Sequence, residues 1–190
     1  MTRRLLTLLA LTAAVLVSGC GSGDPGNAVV EADTEGVWVD AGTLDYHIQG
    51  SRSLNPSQVP DDRYLAGVPA GTAEPTGKEI WFAVFLRIEN KTNKAAPSAE
   101  EFEIEDTEGK TFKPIALDTK ANPFAYAPTQ LGAKEVIPHP DSTQDFDSTA
   151  GAMLLFKLPL TTIADRPLEF HIKAPPGQPA PASSEVDLDV

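Results

Sequence analysis

The longest alternating stretch in the sequence is EIWFAVFLRIE, residues 79–89, and it decides the fold class. One set of alternate positions holds Ile80, Phe82, Val84, Leu86 and Ile88. The other set includes Trp81, Ala83 and Phe85. Because successive side chains of a β-strand point to opposite faces of its sheet, both faces of this strand are apolar. The stretch therefore predicts the central strand of a β-sandwich, covered on both sides.

Shorter alternating stretches on either side predict the rest of an all-β domain. They cover residues 43–49, 101–105, 110–113, 152–158 and 168–173. The segment Asp106–Gly109 between two of them is typical of a hairpin turn. Two connections are long, 54–78 and 114–130. We leave open whether these connections carry helical turns or form a binding site for a partner.

The first 19 residues have the order of a secretory signal peptide. Arg3 and Arg4 give a positive start, and the 13 residues 5–17 follow without a charge. A membrane-spanning helix needs roughly 20 apolar residues, so this stretch is too short to span. It predicts a signal peptide that is removed from the mature protein.

The segment Leu16-Val17-Ser18-Gly19-Cys20 resembles the lipobox of bacterial lipoproteins. The resemblance implies that diacylglycerol is attached to the Cys20 thiol, that the chain is cut before Cys20, and that fatty acid such as palmitate can also acylate the new amine. Cys20 would then anchor the protein at the extracytoplasmic face of the cell membrane, or at an outer membrane if the cell has two. The alternative is a cleaved secretory signal beside a free thiol.

Composition limits the remaining possibilities. The chain has 190 residues, of which 41% are hydrophobic, and a formal net charge of −12. This is enough apolar material for a core, and so acidic a surface repels phosphate backbones, which argues against nucleic-acid binding. We predict a flexible linker over residues 20–36, one β-sandwich domain over 37–173 and a Pro-rich acidic tail over 174–190. Residues 185–190 alternate weakly, and we leave open whether they form a frayed strand or a disordered acidic tail.

Several motifs of the predicted domain resemble a known family. They are the hydrophobic strand closing on an asparagine (82–90), the pattern Asp106-x-x-Gly109-Lys110-x-Phe112, the apolar strand 153–158 and the alternating strand 168–172. In these features the chain is similar to the small extracytoplasmic immunoglobulin-like domain of unknown function found in many bacterial lipoproteins. The secreted mycobacterial immunoprotective protein is of similar type. The resemblance implies an immunoglobulin-like antiparallel β-sandwich with an unassigned binding or structural role, and it supplies no catalytic residues.

The three histidines lack the spacing of a metal site. His47 and His171 occupy the polar positions of their strands, and His139 lies between two prolines. Zinc sites usually combine closely spaced His residues or Cys pairs, which the sequence does not offer. We therefore interpret His47 and His171 as solvated surface side chains.

The densest group of acidic residues surrounds the predicted strand 101–105. Alternation places Glu101, Glu103 and Glu105 on one face of that strand, about 6.5–7 Å apart. A row of carboxylates could attract Ca²⁺, but the loop pattern of an EF-hand is absent. We favour a solvated face that discourages aggregation, and we interpret Asp141, Asp145 and Asp147 in the same way.

The aromatic residues Trp38, Trp81 and Phe85 are expected to pack in the core rather than line a pocket. The sequence contains no nucleophile elbow and no phosphate-binding glycine loop. We therefore expect a non-enzymatic interaction or ligand-binding module, with no catalytic residue, metal or cofactor, and we leave open a protein partner at the cell envelope. The alternatives are a small-molecule or calcium carrier that uses the long connections, and a hydrolase whose site is assembled from distant residues.

Overall fold

Strands make up most of the regular structure in the computed structural model, which describes residues 30–190. In chain order they are β1 (Glu31–Ala32), β2 (Trp38–Ala41), β3 (Leu44–Leu54), β4 (Glu79–Glu89), β5 (Ala96–Pro97), β6 (Glu101–Glu105), β7 (Thr111–Phe112), β8 (Gln130–Leu131), β9 (Val136–Ile137), β10 (Ala152–Pro159), β11 (Leu168–Lys173) and β12 (Ser183–Leu188). Two short helices, α1 (Asp61–Tyr64) and α2 (Leu160–Ala164), lie in the connections. In residues 30–190 no helix has the length and apolar character needed to cross a bilayer. The predicted signal peptide, Cys20 and the first part of the predicted linker lie outside the described residues.

The strands form two main sheets. Sheet A has the order β1-β12-β11-β6-β7, in which β1 and β12 run parallel and the other neighbours antiparallel. Sheet B has the antiparallel order β10-β4-β3-β2, and β9 pairs with the end of β4. A small third sheet joins β5 to β8. The all-β architecture is confirmed, and β4 lies between β3 and β10 as its two apolar faces predict.

The inner faces of sheets A and B share one hydrophobic core. Phe102 and Phe170 of sheet A stack with their ring centroids 5.7 Å apart. Phe170 also meets Phe156 of sheet B edge to face at 6.3 Å. Phe82, Val84 and the other inward residues of β4 are fully buried in the same cluster. The two sheets therefore pack face to face as a sandwich.

The outer face of sheet B is covered by the two long connections. Tyr64, at the end of α1, packs edge to face against Phe85 of β4 at 5.2 Å and against Phe124 at 5.0 Å. The Asn122 side chain donates hydrogen bonds to the carbonyls of Tyr64 (2.8 Å) and Ala66 (2.9 Å), which joins one connection to the other. Trp81 and Phe85 are buried in this second cluster, so their predicted core packing is confirmed.

Sheet A extends past both predicted limits of the domain. Strand β12 lies within residues 174–190, which the sequence predicts to be a tail, yet it pairs with β11 along its whole length. Its Val186 is fully buried and sits opposite Phe170 of β11 and Ala32 of β1. The domain therefore includes residues on both sides of the predicted span 37–173. The physical reason is that β12 is buried through its strand partners, whereas its own composition is mostly polar.

Asn90 fixes the chain where β4 ends. Its side-chain amide donates to the carbonyls of Lys94 (2.8 Å), Leu131 (3.0 Å) and Gly132 (2.8 Å), and its oxygen accepts from the backbone of Thr92 (3.0 Å). The residue is completely buried. One side chain thus holds its own turn and also ties β4 to the segment around β8.

We predict that Asn90→Ala lowers the free energy of unfolding by about 2–3 kcal/mol, because the buried carbonyl of Leu131 and two partly buried carbonyls would lose their donor. Urea denaturation followed by tryptophan fluorescence measures the change. Asn93→Ala is the matched control, since Asn93 is exposed in the same turn and should unfold like the wild type. Equal midpoints for the two variants would contradict this role of Asn90.

Candidate functional site

The outer face of sheet A carries a concentration of acidic side chains. Because Phe170 and Ile172 of β11 point into the core, the residues between and beside them point outward. The same alternation holds for β6 and β12. The outward residues of the three strands are Glu101, Glu103, Glu105, Glu169, His171, Lys173, Ser183, Glu185 and Asp187.

Strand register places like charges opposite one another on this face. Glu169 of β11 pairs with Glu105 on β6 and with Asp187 on β12. His171 pairs with Glu103 on one side and Glu185 on the other, and Glu185 in turn pairs with Glu31 of β1. Carboxylates directly opposite each other destabilise a sheet unless a cation lies between them.

Lysines neutralise one part of the face only. Glu103 lies 3.2 Å from the Lys173 ammonium and 3.5 Å from that of Lys113. The hydrogen bond from Lys173 is the main reason that the pKa of Glu103 falls below its usual value. Among the described residues, no lysine or arginine nitrogen lies within 4.0 Å of the carboxylates of Glu105, Glu169 or Glu185.

His171 occupies the centre of these three carboxylates. Its Nε2 is 3.7 Å from Glu105 Oε2 and 3.6 Å from Glu169 Oε2, and its Nδ1 is 3.7 Å from Glu185 Oε2. These separations exceed hydrogen-bond length, and the buried Nε2 has no hydrogen-bond partner. Only 21% of the side chain is exposed. The expectation of a freely solvated His171 is therefore wrong, because its strand neighbours enclose the ring.

Burial and repulsion change the acidity of the neighbouring carboxyls. The pKa of Glu185 is raised, first by burial and then by the negative charge of Glu169. The pKa of Asp187 is raised by burial and by the charges of Asp33 and Asp189. Burial is thus the main cause of both shifts, and neighbouring negative charges add to it.

The other sequence candidates lie elsewhere. His47 is on sheet B, where its ring lies 4.9 Å from that of Trp38, and burial lowers its pKa. His139 is exposed in the connection between β9 and β10. In that connection the Asp145 carboxylate accepts a hydrogen bond from the backbone of Asp141 (3.2 Å), and Asp147 accepts one from the Tyr64 hydroxyl. These acids thus serve local hydrogen bonding.

A second candidate is a cleft of about 420 Å³ beside the 114–130 connection. Its walls include Pro114–Leu117 and Ala125–Pro128 from the connection, with Phe102 and Met153 from the strands. The Tyr126 hydroxyl donates to the Ala99 carbonyl at 2.6 Å, and burial raises its pKa. The cleft is mainly apolar and within the size range of small-molecule sites.

The sequence predicts the acidic face of one strand, β6, but not that of β11 or β12. The predicted common face of Glu101, Glu103 and Glu105 on β6 is confirmed. Glu169 and Glu185 were not singled out, although both occupy outward positions of alternating stretches. Their convergence on His171 depends on the pairing of β6, β11 and β12, which the spacing within each strand does not reveal.

Comparisons with known proteins give little guidance. The chain matches no known protein family and no curated protein. The crystal structure of the yjhA protein from Bacillus subtilis is similar in outline, with a TM-score of 0.49 and 8% sequence identity over 83% of this chain and 99% of that one. No function follows from a likeness at that level.

We predict that Glu169→Gln raises the free energy of unfolding by a few tenths to about 1 kcal/mol, since it removes a negative charge held opposite two others. Urea denaturation at low ionic strength, with a chelator present, measures the gain. The gain should shrink in 1 M salt, where charges are screened beyond about 3 Å.

Glu103→Gln is the matched control for this prediction. It removes the same charge from the same face, but it also breaks the contacts with Lys173 and Lys113. It should therefore give no gain in stability. Equal effects of Glu103→Gln and Glu169→Gln would show that strand register does not govern these charges.

Proposed function

We propose that the protein is a membrane-anchored extracytoplasmic lipoprotein whose β-sandwich serves as a non-enzymatic interaction or ligand-binding module. The observation that carries the proposal is the order of features in the sequence: two arginines, an uncharged apolar run, and a lipobox-like segment ending at Cys20. A polar, glycine-rich segment then leads to the first strand, β1.

The anchor follows from simple energetics. Each buried methylene of an acyl chain contributes about 0.8 kcal/mol, so one chain binds reversibly and two or three hold a protein stably at the bilayer. A flexible tether of the length of residues 21–30 spans roughly 16–19 Å. It would keep the acidic domain clear of anionic lipid headgroups, which repel it.

We further propose that the sandwich is of the immunoglobulin-like type. Two sheets face each other, and consecutive strands change sheet more than once: β2, β3 and β4 lie in sheet B, β6 and β7 in sheet A, β10 in sheet B and β11 in sheet A. Such crossing between sheets is typical of Greek-key sandwiches. In folds of this type, binding residues usually lie on connections held by the sheets.

The apolar cleft beside the 114–130 connection is the ligand site that we propose for this module. Its volume of about 420 Å³ suits a small, largely apolar molecule or an apolar side chain of a partner at the cell envelope. The hydrogen bond of Tyr126 to Ala99 holds one wall in place. The cleft also favours small-molecule carriage as the second candidate function.

Metabolic labelling with a clickable fatty acid tests the anchor. We expect the wild-type chain to be labelled and recovered with membranes, and Cys20→Ala to lose both properties because the acceptor thiol is absent. Ser22→Ala, two residues further on, is the control and should be labelled like the wild type. A Cys20→Ala chain that labels as well as the wild type would refute the anchor.

Binding of N-phenyl-1-naphthylamine, a neutral apolar fluorophore, tests the cleft. We expect its fluorescence to rise on addition of the wild-type chain and to rise less with Ala127→Trp, because the larger side chain fills the cleft from its exposed rim. Ala121→Trp, exposed on the same connection but outside the cleft lining, should behave like the wild type. An equal response from both variants would place probe binding elsewhere.

A further inference from the structure

We propose that the outer face of sheet A binds a divalent first-row transition-metal ion through His171 Nε2 and the carboxylates of Glu105 and Glu169, with Glu185 orienting the imidazole. The site lies apart from the cleft and does not depend on the lipid anchor, so it goes beyond the function proposed above.

The positions of the donor atoms fit one ion. Two ligands on a tetrahedral zinc ion, each about 2.0–2.1 Å from the metal, lie about 3.4 Å from one another. The Nε2 atom is 3.7 Å from Glu105 Oε2 and 3.6 Å from Glu169 Oε2. Donor atoms of Glu169, His171 and Glu185 also lie within 4.8 Å of one another. Only a small inward movement of flexible glutamate side chains is needed to close the set around an ion.

A carboxylate lies near the second ring nitrogen, where metal-bound histidines usually have one. Such histidines donate the other N–H to a carboxylate or carbonyl, which fixes the tautomer and the plane of the ring. Glu185 Oε2 lies 3.7 Å from Nδ1, whereas the other two carboxylates approach Nε2. In this arrangement Nε2 is the nitrogen that binds the metal, and Nδ1 is the nitrogen through which Glu185 orients the ring.

Two features of the surroundings favour a bound cation. The Nε2 atom is buried without a hydrogen bond, which is costly for a polar atom unless another partner satisfies it. Glu169 has carboxylates opposite it on both sides, and the nearby lysines Lys173 and Lys113 are engaged by Glu103. A dication at Nε2 removes the unsatisfied nitrogen and the repulsion together.

The donor set also selects the class of metal. Ca²⁺ and Mg²⁺ prefer oxygen donors, whereas imidazole suits Zn²⁺, Co²⁺ and Ni²⁺. One nitrogen and two carboxylates leave at least one coordination position open to water or to a donor from another molecule. The site therefore suits reversible binding of an ion rather than a closed structural role.

Isothermal titration calorimetry with ZnCl₂ tests the proposal on the full chain, stripped of metal and kept in a non-ionic detergent. Every version carries Cys20→Ala, so that the one thiol of the sequence takes no part. We expect one Zn²⁺ per chain, no detectable binding to His171→Gln, and at least tenfold weaker binding to Glu105→Gln and Glu169→Gln. Glu185→Gln should weaken binding by about 10- to 100-fold, as expected for a residue that orients a ligand.

Glu101→Gln is the matched control. It removes the same charge from the same face of β6, but Glu101 pairs with Lys173 and lies four residues from Glu105, so binding should stay within twofold of the parent chain. Circular dichroism in the presence of a chelator verifies that each variant is folded. If His171→Gln does not fold, the three glutamate variants still test the site. Co²⁺ absorption provides a second readout of nitrogen ligation.

Two results would overturn the proposal. The first is the absence of Zn²⁺ binding to the parent chain. The second is binding that survives both His171→Gln and Glu169→Gln unchanged. The second result would be explained by a diffuse acidic surface if Ca²⁺ binds as strongly as Zn²⁺ and His171→Gln leaves its affinity unchanged.

Discussion

The two apolar faces of β4 are the constraint on which the rest of the structure depends. A buried large apolar side chain contributes about 1.5–3 kcal/mol relative to an exposed one, so a strand with such side chains on both faces must be covered twice. Sheet A provides one cover, through Phe170 and its neighbours. The long connections provide the other, through Tyr64 and Phe124. Their length is therefore a requirement of packing, and the cleft beside Tyr126 lies where one of them leaves the sheet surface.

Local periodicity predicts those strands whose own apolar residues explain why they are buried. It identifies β4, β10 and β11 because their apolar residues alternate or run together. It indicates β12 only weakly, because this strand has only Val186 and Leu188 as large apolar residues and is buried through β11. Strands of two residues, such as β1 and β9, arise from pairing alone. The face shared by Glu103 and Glu105 is visible in the sequence, but its meeting with His171 requires the register between strands.

The outer surface of sheet A divides into two electrostatic environments. Around Glu103, lysines balance the charge and lower the pKa of the carboxyl. Two residue pairs further along, Glu105 and Glu169 face each other beside a histidine nitrogen that has no hydrogen-bond partner. A lysine placed opposite each glutamate on the neighbouring strand would remove this repulsion between carboxylates. The persistence of the repulsion beside His171 is a physical reason to look for a ligand there.

The parallel pairing of β1 with β12 links opposite ends of the described chain. Glu31 leaves the ribosome early, yet its partner Glu185 is synthesised long after it. Sheet A therefore cannot be completed before β12 is synthesised, and β11 keeps an open edge until β12 pairs with it. Pairings between such distant residues slow folding, and an open edge in the meantime invites association with other chains. A protein built in this way has most need of chaperone protection in the interval just before its last strand is added.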